Sequence, residues 1–197
     1  METFDLDLAE MLSARLCHEL VSPVGAIANG VEILEEEPDF AEEARRLIAQ
    51  STAQASRRLQ YYRLAYAAHG AIPEDLARVA ALALFADGKV RCRWPEGPGI
   101  GPERQKFLLN LLLVAADCLP RGGVLMIKSG LGLNVLAQGD GARLPKDAEP
   151  LVATMPLDGM TPRTVQAIFT RRLAARLGLR VEAVHQPPDT VSLLAVC

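Results

Sequence analysis

LCHELVSPVGAIANGVEIL, residues 16–34, decides the reading of this chain, because its apolar residues recur at helical rather than strand spacing. At about 100° per residue, Leu16, Leu20, Ile27, Val31 and Leu34 fall on one side of a helix and His18 on the other. The imidazole is therefore expected to point outward. It shares its side with Met11, Arg15, Ser22, Gly25 and Asn29, mostly small or polar residues that let another protein's backbone come close. Such a stripe is a candidate docking face. His69, just before Gly70, and His185, just before Pro187-Pro188, have no comparable setting and read as ordinary solvated or structural histidines.

Working outward, the helical period covers residues 6–36 and ends in Glu35-Glu36-Glu37 before Pro38. Asp39 and Glu42 predict a capping box that opens a second helix, with Ala44, Leu47, Ile48, Ala55, Leu59, Tyr62 and Tyr66 on its apolar side. Residues 1–70 thus read as a helical hairpin. Pro23, five residues past His18, removes a backbone donor and predicts a bend or local loosening. A hairpin turning near Pro38 places Arg57 and Arg58 level with His18. Two helices cannot bury both apolar faces against each other, so a homodimer in the form of a four-helix bundle is expected.

After AAHGAIP the texture changes, and residues 71–197 read as a separate domain. Helices are predicted over 74–85, 103–119 and 162–177, and strands over 89–94, 124–129, 133–138, 180–185 and 190–196. The strands at 124–129 and 133–138 are expected to join through a Gly-containing turn, and the last pair across Pro187-Pro188. Helices on one face of a mixed, largely antiparallel sheet make an α/β sandwich, so the fold class is α+β.

Composition narrows the function. The 197 residues, half of them hydrophobic, suffice for a packed core. A net charge of -3 without a basic, aromatic-interleaved patch argues against nucleic acid as the main ligand. METFDLDLAE lacks the features of a secretory signal and no apolar run has the length of a membrane span, so a cytoplasmic protein without a membrane association is expected. Cys17, Cys92, Cys118 and Cys197 are scattered and read as reduced thiols, with no zinc-ligand spacing.

His18-Glu19-Leu20 followed by Ser22-Pro23 resembles the phospho-accepting box of sensor histidine kinases, and the hairpin resembles their dimerisation and phosphotransfer domain. The second half is similar to their Bergerat-type ATP-binding domain in its order of elements. FLLNLLLVAADCLPRGG resembles the asparagine box, with Asn110 at its first asparagine, and VLAQGDGARL resembles the first glycine box. TPRTVQAIFTRRLAARLGL resembles the helix that the second glycine box opens.

The departures carry chemistry. Val114 stands where the resemblance calls for an asparagine that holds Mg²⁺, and Ala137 where it calls for the aspartate that recognises adenine. Thr161-Pro162-Arg163-Thr164 opens the last helix in place of glycines whose amides approach phosphate. With these features missing, ATP binding is not expected and no cofactor is expected in this chain.

The combination resembles the ChpT-type histidine phosphotransferases of alphaproteobacteria over nearly the whole chain. The resemblance implies that His18 takes a phosphoryl group from the receiver domain of a hybrid histidine kinase (CckA-like) and returns it to response regulators (CtrA-like, CpdR-like), with Mg²⁺ supplied by the receiver. Imidazole suits this role, since its ordinary pKa of about 6.5 leaves an unprotonated nitrogen at neutral pH. Glu19 is the candidate to orient the ring or take its proton. Arg15, Ser22, Asn29 and Arg58 are the candidate receiver contacts, and Arg163, Arg171, Arg172 and Arg176 place further positive charge on the last helix. Two competing readings are a noncatalytic, pseudokinase-like dimeric scaffold that binds receivers without carrying phosphate, and an ATP-dependent kinase with an unusual pocket.

Overall fold

In the computed structural model, residues 2–95, 99–129, 132–153, 160–186 and 188–197 are described. The first helix, α1, spans Glu2–Glu36 and runs without a break through Pro23. A one-turn 3₁₀ helix, Pro38–Phe40, reverses the chain into α2, Ala41–Tyr62. The expected capping box does not form. Asp39 lies inside the 3₁₀ turn, Phe40 takes the cap position without a side-chain bond, and Glu42 pairs with Arg45 at 2.6 Å. Proline at the head of the 3₁₀ turn has already fixed the start of the reversal, which moves the first α-helical residue past Asp39.

The hairpin is held by close approach of its two helices. Gly30 is buried, and a Cβ there would lie 2.7 Å from Ile48 Cγ1 and 3.4 Å from the Ala44 carbonyl oxygen. Among the described residues of α1, Leu8 and Pro23 are also buried, whereas Leu16, Leu20, Ile27 and Leu34 are only half-buried and Val31 is exposed. One chain therefore covers only part of the apolar stripe.

Past α2 the backbone widens into a π-helical turn, Arg63–Ala67, and then enters the second half. Its helices are α3 (Glu74–Leu84), α4 (Gln105–Asp117) and α5 (Val165–Arg176). Its strands are β1 (Val90–Arg93), β2 (Gly123–Ser129), β3 (Leu133–Gln138), β4 (Arg180–Gln186) and β5 (Thr190–Val196). They form one sheet in the order β1-β2-β3-β5-β4, parallel between β1 and β2 and antiparallel elsewhere. The class is α+β, a long helical hairpin followed by a five-stranded mixed sheet. The turn residues at 130–131 and Pro187 lie outside the described residues.

The period-2 pattern sets which face is covered. Leu133, Val135 and Ala137 of β3, Leu125 and Ile127 of β2, and Val191, Leu193 and Ala195 of β5 join the core under the helices. Asn134 and Ser192 lie on the opposite face, bonded at 2.9 Å. Helix α4 lies over the middle of the sheet, with α3 toward β1 and α5 toward β4. A 3₁₀ segment, Lys146–Leu151, packs on α5 with Ala148, Pro150 and Leu151 buried and is not expected from the sequence. The core does not stop at the second half: Tyr61, Tyr62, Leu64 and Ala65, from the end of α2 and the π turn, are part of it.

Candidate functional site

His18 lies midway along α1 and is exposed, as are Cys17, Val21, Ser22, Gly25 and Asn29. Small residues surround it on the open side, and an added Cβ at Gly25 would meet nothing within 4 Å. The upstream part of the same stripe is covered instead. Met11 is half-buried, and Arg15, with its side chain 16% exposed, reaches 3.9 Å from Asp117 at the end of α4. Arg15 also lies against the phenol of Tyr66, which burial pushes up to about 12 while the guanidinium acts in the opposite sense. Burial raises the Asp117 carboxyl and Arg15 again opposes it. Arg15 therefore sits in the seam between hairpin and sandwich rather than on the open face with Ser22 and Asn29. Reading α1 by itself cannot reveal this, because the covering surface comes from α4 and the π turn.

Arg58 is level with the His18 turn, as the hairpin register requires, but its guanidinium turns to Glu19. Nη1 donates to the Glu19 carboxylate at 2.6 Å and to the Glu19 main-chain oxygen at 2.7 Å. Both side chains are about a quarter exposed. Arg57 forms an ion pair with Asp87, beyond α3.

Three of the positions that resemble parts of a nucleotide site lie in the core. Val114 and Ala137 are both buried, the latter where β3 faces α4. Asn110, also buried, donates from Nδ2 to the carbonyl oxygens of Ala65 and Lys106, both at 2.8 Å, and accepts at Oδ1 from Gln166 Nε2 at 2.9 Å. Gln166 Oε1 accepts from the Tyr66 hydroxyl at 2.6 Å, and Tyr61 donates to the Leu109 carbonyl at 2.6 Å. This network ties the π turn to α4 and α5. Thr161 and Thr164, ahead of α5, bond to each other, Thr161 Oγ1 accepting from the Thr164 amide at 3.2 Å. Among the described residues no three His, Cys, Asp or Glu side chains group as metal ligands, and no helix is long and apolar enough to cross a membrane.

Sequence reasoning missed Asn110, Gln166 and Tyr66 as a unit. The available signal was a lone asparagine at position 110 within the otherwise apolar run FLLNLLLVAA, since a buried polar group requires partners.

Comparison with known proteins identifies the family and the fold. Residues 74–189 match the family model of the histidine phosphotransferase C-terminal domain. The chain is 32% identical to the protein phosphotransferase ChpT of Brucella abortus (strain 2308), over 94% of this chain and 93% of that protein. A solved structure of a bacterial phosphotransferase superposes with a TM-score of 0.84 at 31% identity, covering 97% of this chain and 96% of the other.

Proposed function

The chain belongs to the histidine phosphotransferase family, and from that premise we propose that it relays a phosphoryl group through His18 between receiver domains. The observation that carries the proposal is the open face on α1, where an exposed imidazole is flanked by exposed Ser22, Gly25 and Asn29. A receiver's phosphoaspartate can approach there without a side chain being displaced.

In the proposed step an unprotonated His18 nitrogen attacks phosphorus. The new N–P bond forms as the acyl-phosphate P–O bond breaks, and the aspartate carboxylate leaves with the electron pair. The reverse step loads a second receiver. Phosphoryl transfer of this kind relies mainly on positioning and charge compensation, so a rigid helix carrying the nucleophile is well suited to it. The receiver brings the Mg²⁺ in this reading, and Ser22 and Asn29 are receiver contacts. The donor is the receiver of a hybrid histidine kinase, CckA-like, and the recipients are response regulators, CtrA-like and CpdR-like.

We also assign a homodimer, because Leu20, Ile27 and Leu34 remain half-buried and Val24 and Val31 exposed along α1. A second hairpin would complete their burial as a four-helix bundle. In this reading nucleotide has no part in the reaction, which the buried, apolar Val114 and Ala137 support, standing where the resemblance calls for residues that contact it.

The test is transfer of label from a phosphorylated receiver domain, freed of nucleotide. Label moving onto the wild type and not onto His18→Ala supports the relay. If several receivers from the same genome fail to donate while one still binds, the protein is a receiver-binding scaffold and the relay is wrong.

A further inference from the structure

Pro23 and Arg58 are linked through one oxygen atom. In an α-helix the carbonyl of residue i accepts from the N–H of residue i+4. For Glu19 that residue is Pro23, which has no N–H. The Glu19 carbonyl is therefore left without its helical donor in the turn that carries His18. Arg58 supplies the missing donor from across the hairpin at 2.7 Å, and the same nitrogen holds the Glu19 carboxylate at 2.6 Å.

We propose that Arg58 is a positioning residue for phosphotransfer: held by the carbonyl that Pro23 leaves open, it fixes the Glu19 carboxylate and offsets its charge beside His18. This rests on His18 being the phosphoryl acceptor. A carboxylate next to the nucleophile repels an anionic phosphoryl donor and the phosphohistidine that follows. Paired to a guanidinium it repels less, and a charge-assisted bond holds one geometry better than a solvated side chain does. The proline that interrupts the helix thus has a constructive part: it frees the acceptor that draws Arg58 into place. Arg58 acts within the chain, through Glu19, and not by touching the receiver.

The distinguishing experiment uses phosphoramidate, a donor that needs neither nucleotide nor receiver. A His18 nitrogen bonds phosphorus, the P–N bond of the donor breaks, and ammonia leaves. Phosphorylation of the full-length protein is followed by mass spectrometry for the wild type, Arg58→Ala, Glu19→Gln, the double variant and His18→Ala. Arg58→Ala is expected to slow the reaction of the wild type roughly tenfold and that of the Glu19→Gln protein by less than about threefold, because Arg58 acts through the Glu19 carboxylate. Arg58→Gln, which keeps a donor and drops the charge, makes the same comparison if alanine prevents folding.

Arg58→Ala reacting as fast as wild type, or Arg58→Ala slowing the Glu19→Gln protein as much as it slows the wild type, would overturn the proposal and leave His18 as acceptor. A His18→Ala protein phosphorylated as fast as wild type would overturn the acceptor assignment itself, and this inference with it.

Discussion

Gln166 Nε2 donates to Asn110 Oδ1 at 2.9 Å between side chains that are both buried, so the residue resembling the first asparagine of a nucleotide-binding box is a structural tie. Its own amide group faces Ala65 and Lys106 carbonyls. Replacing Asn110 by leucine removes both donations and strands Gln166 Nε2 with only longer contacts. We expect a loss of about 2–4 kcal/mol of stability, measured by denaturant unfolding. A change below about 0.5 kcal/mol would mean that the network contributes little.

A double-mutant cycle tests the shared carbonyl of Glu19. Arg58→Ala alone leaves that oxygen without a donor, whereas in a Pro23→Ala background the restored helical N–H satisfies it. The cost of Arg58→Ala is expected to be smaller by about 1 kcal/mol in that background. Unfolding is compared at one protein concentration, because the stability of the proposed dimer depends on it. Additive effects would show that the two residues do not share the oxygen.

Burial pushes the Cys92 and Cys118 thiols up to about 12, while Cys17 and Cys197 are exposed. Two consequences follow from that placement. At pH 8 iodoacetamide should modify Cys17 and Cys197 of the native protein well before the other two, since the thiolate is the reactive form. Peptide mapping showing early modification of Cys118 would contradict its buried position.

The same values set an alkaline limit. A thiol or phenol whose folded value is raised contributes stability that is complete below its unfolded value and is lost as pH climbs to the folded one. For Cys92 and Cys118 that window runs from 9.0 to about 12, and for Tyr66 from 10.0 to about 12. The midpoint of denaturant unfolding should therefore fall steadily across this range. A flat profile would show that these groups titrate alike in both states.

Titration with Mg-ATP should give no saturable heat. An aspartate or asparagine is absent from the two positions at which the resemblance calls for one, and both positions face inward as Val114 and Ala137. Saturable binding would revive the kinase reading.

How far the sequence could be read depended on whether a feature was local. The outward His18, the hairpin and the order of helices and strands follow from periodicity, which one element carries by itself. The register of Arg58 with the His18 turn also follows, since it needs only the position of Pro38. The partner of Arg58 was not read, although Pro23 four residues after Glu19 marks an open carbonyl. Helix α1 taken alone places Arg15 on the open face, and its ion pair with Asp117 arises only when the sandwich packs on it. The capping box failed for a similar reason, the proline turn having set the helix start first. The 3₁₀ segment at Lys146–Leu151 has no period to detect and is held by its packing on α5.

Tyr61, Tyr62, Leu64 and Ala65 complete the interior of the sandwich from the end of the hairpin. An exchange of parts between relatives is therefore constrained at this junction. A chimaera cut at residue 70 would bring a foreign hairpin's last two turns against Leu109, Asn110 and Gln166, which accept or donate bonds to residues 61–66 directly or through one another. A workable cut has to leave residues 61–66 with the sandwich, so the His18-bearing segment that can be transplanted is shorter than the helices that carry it.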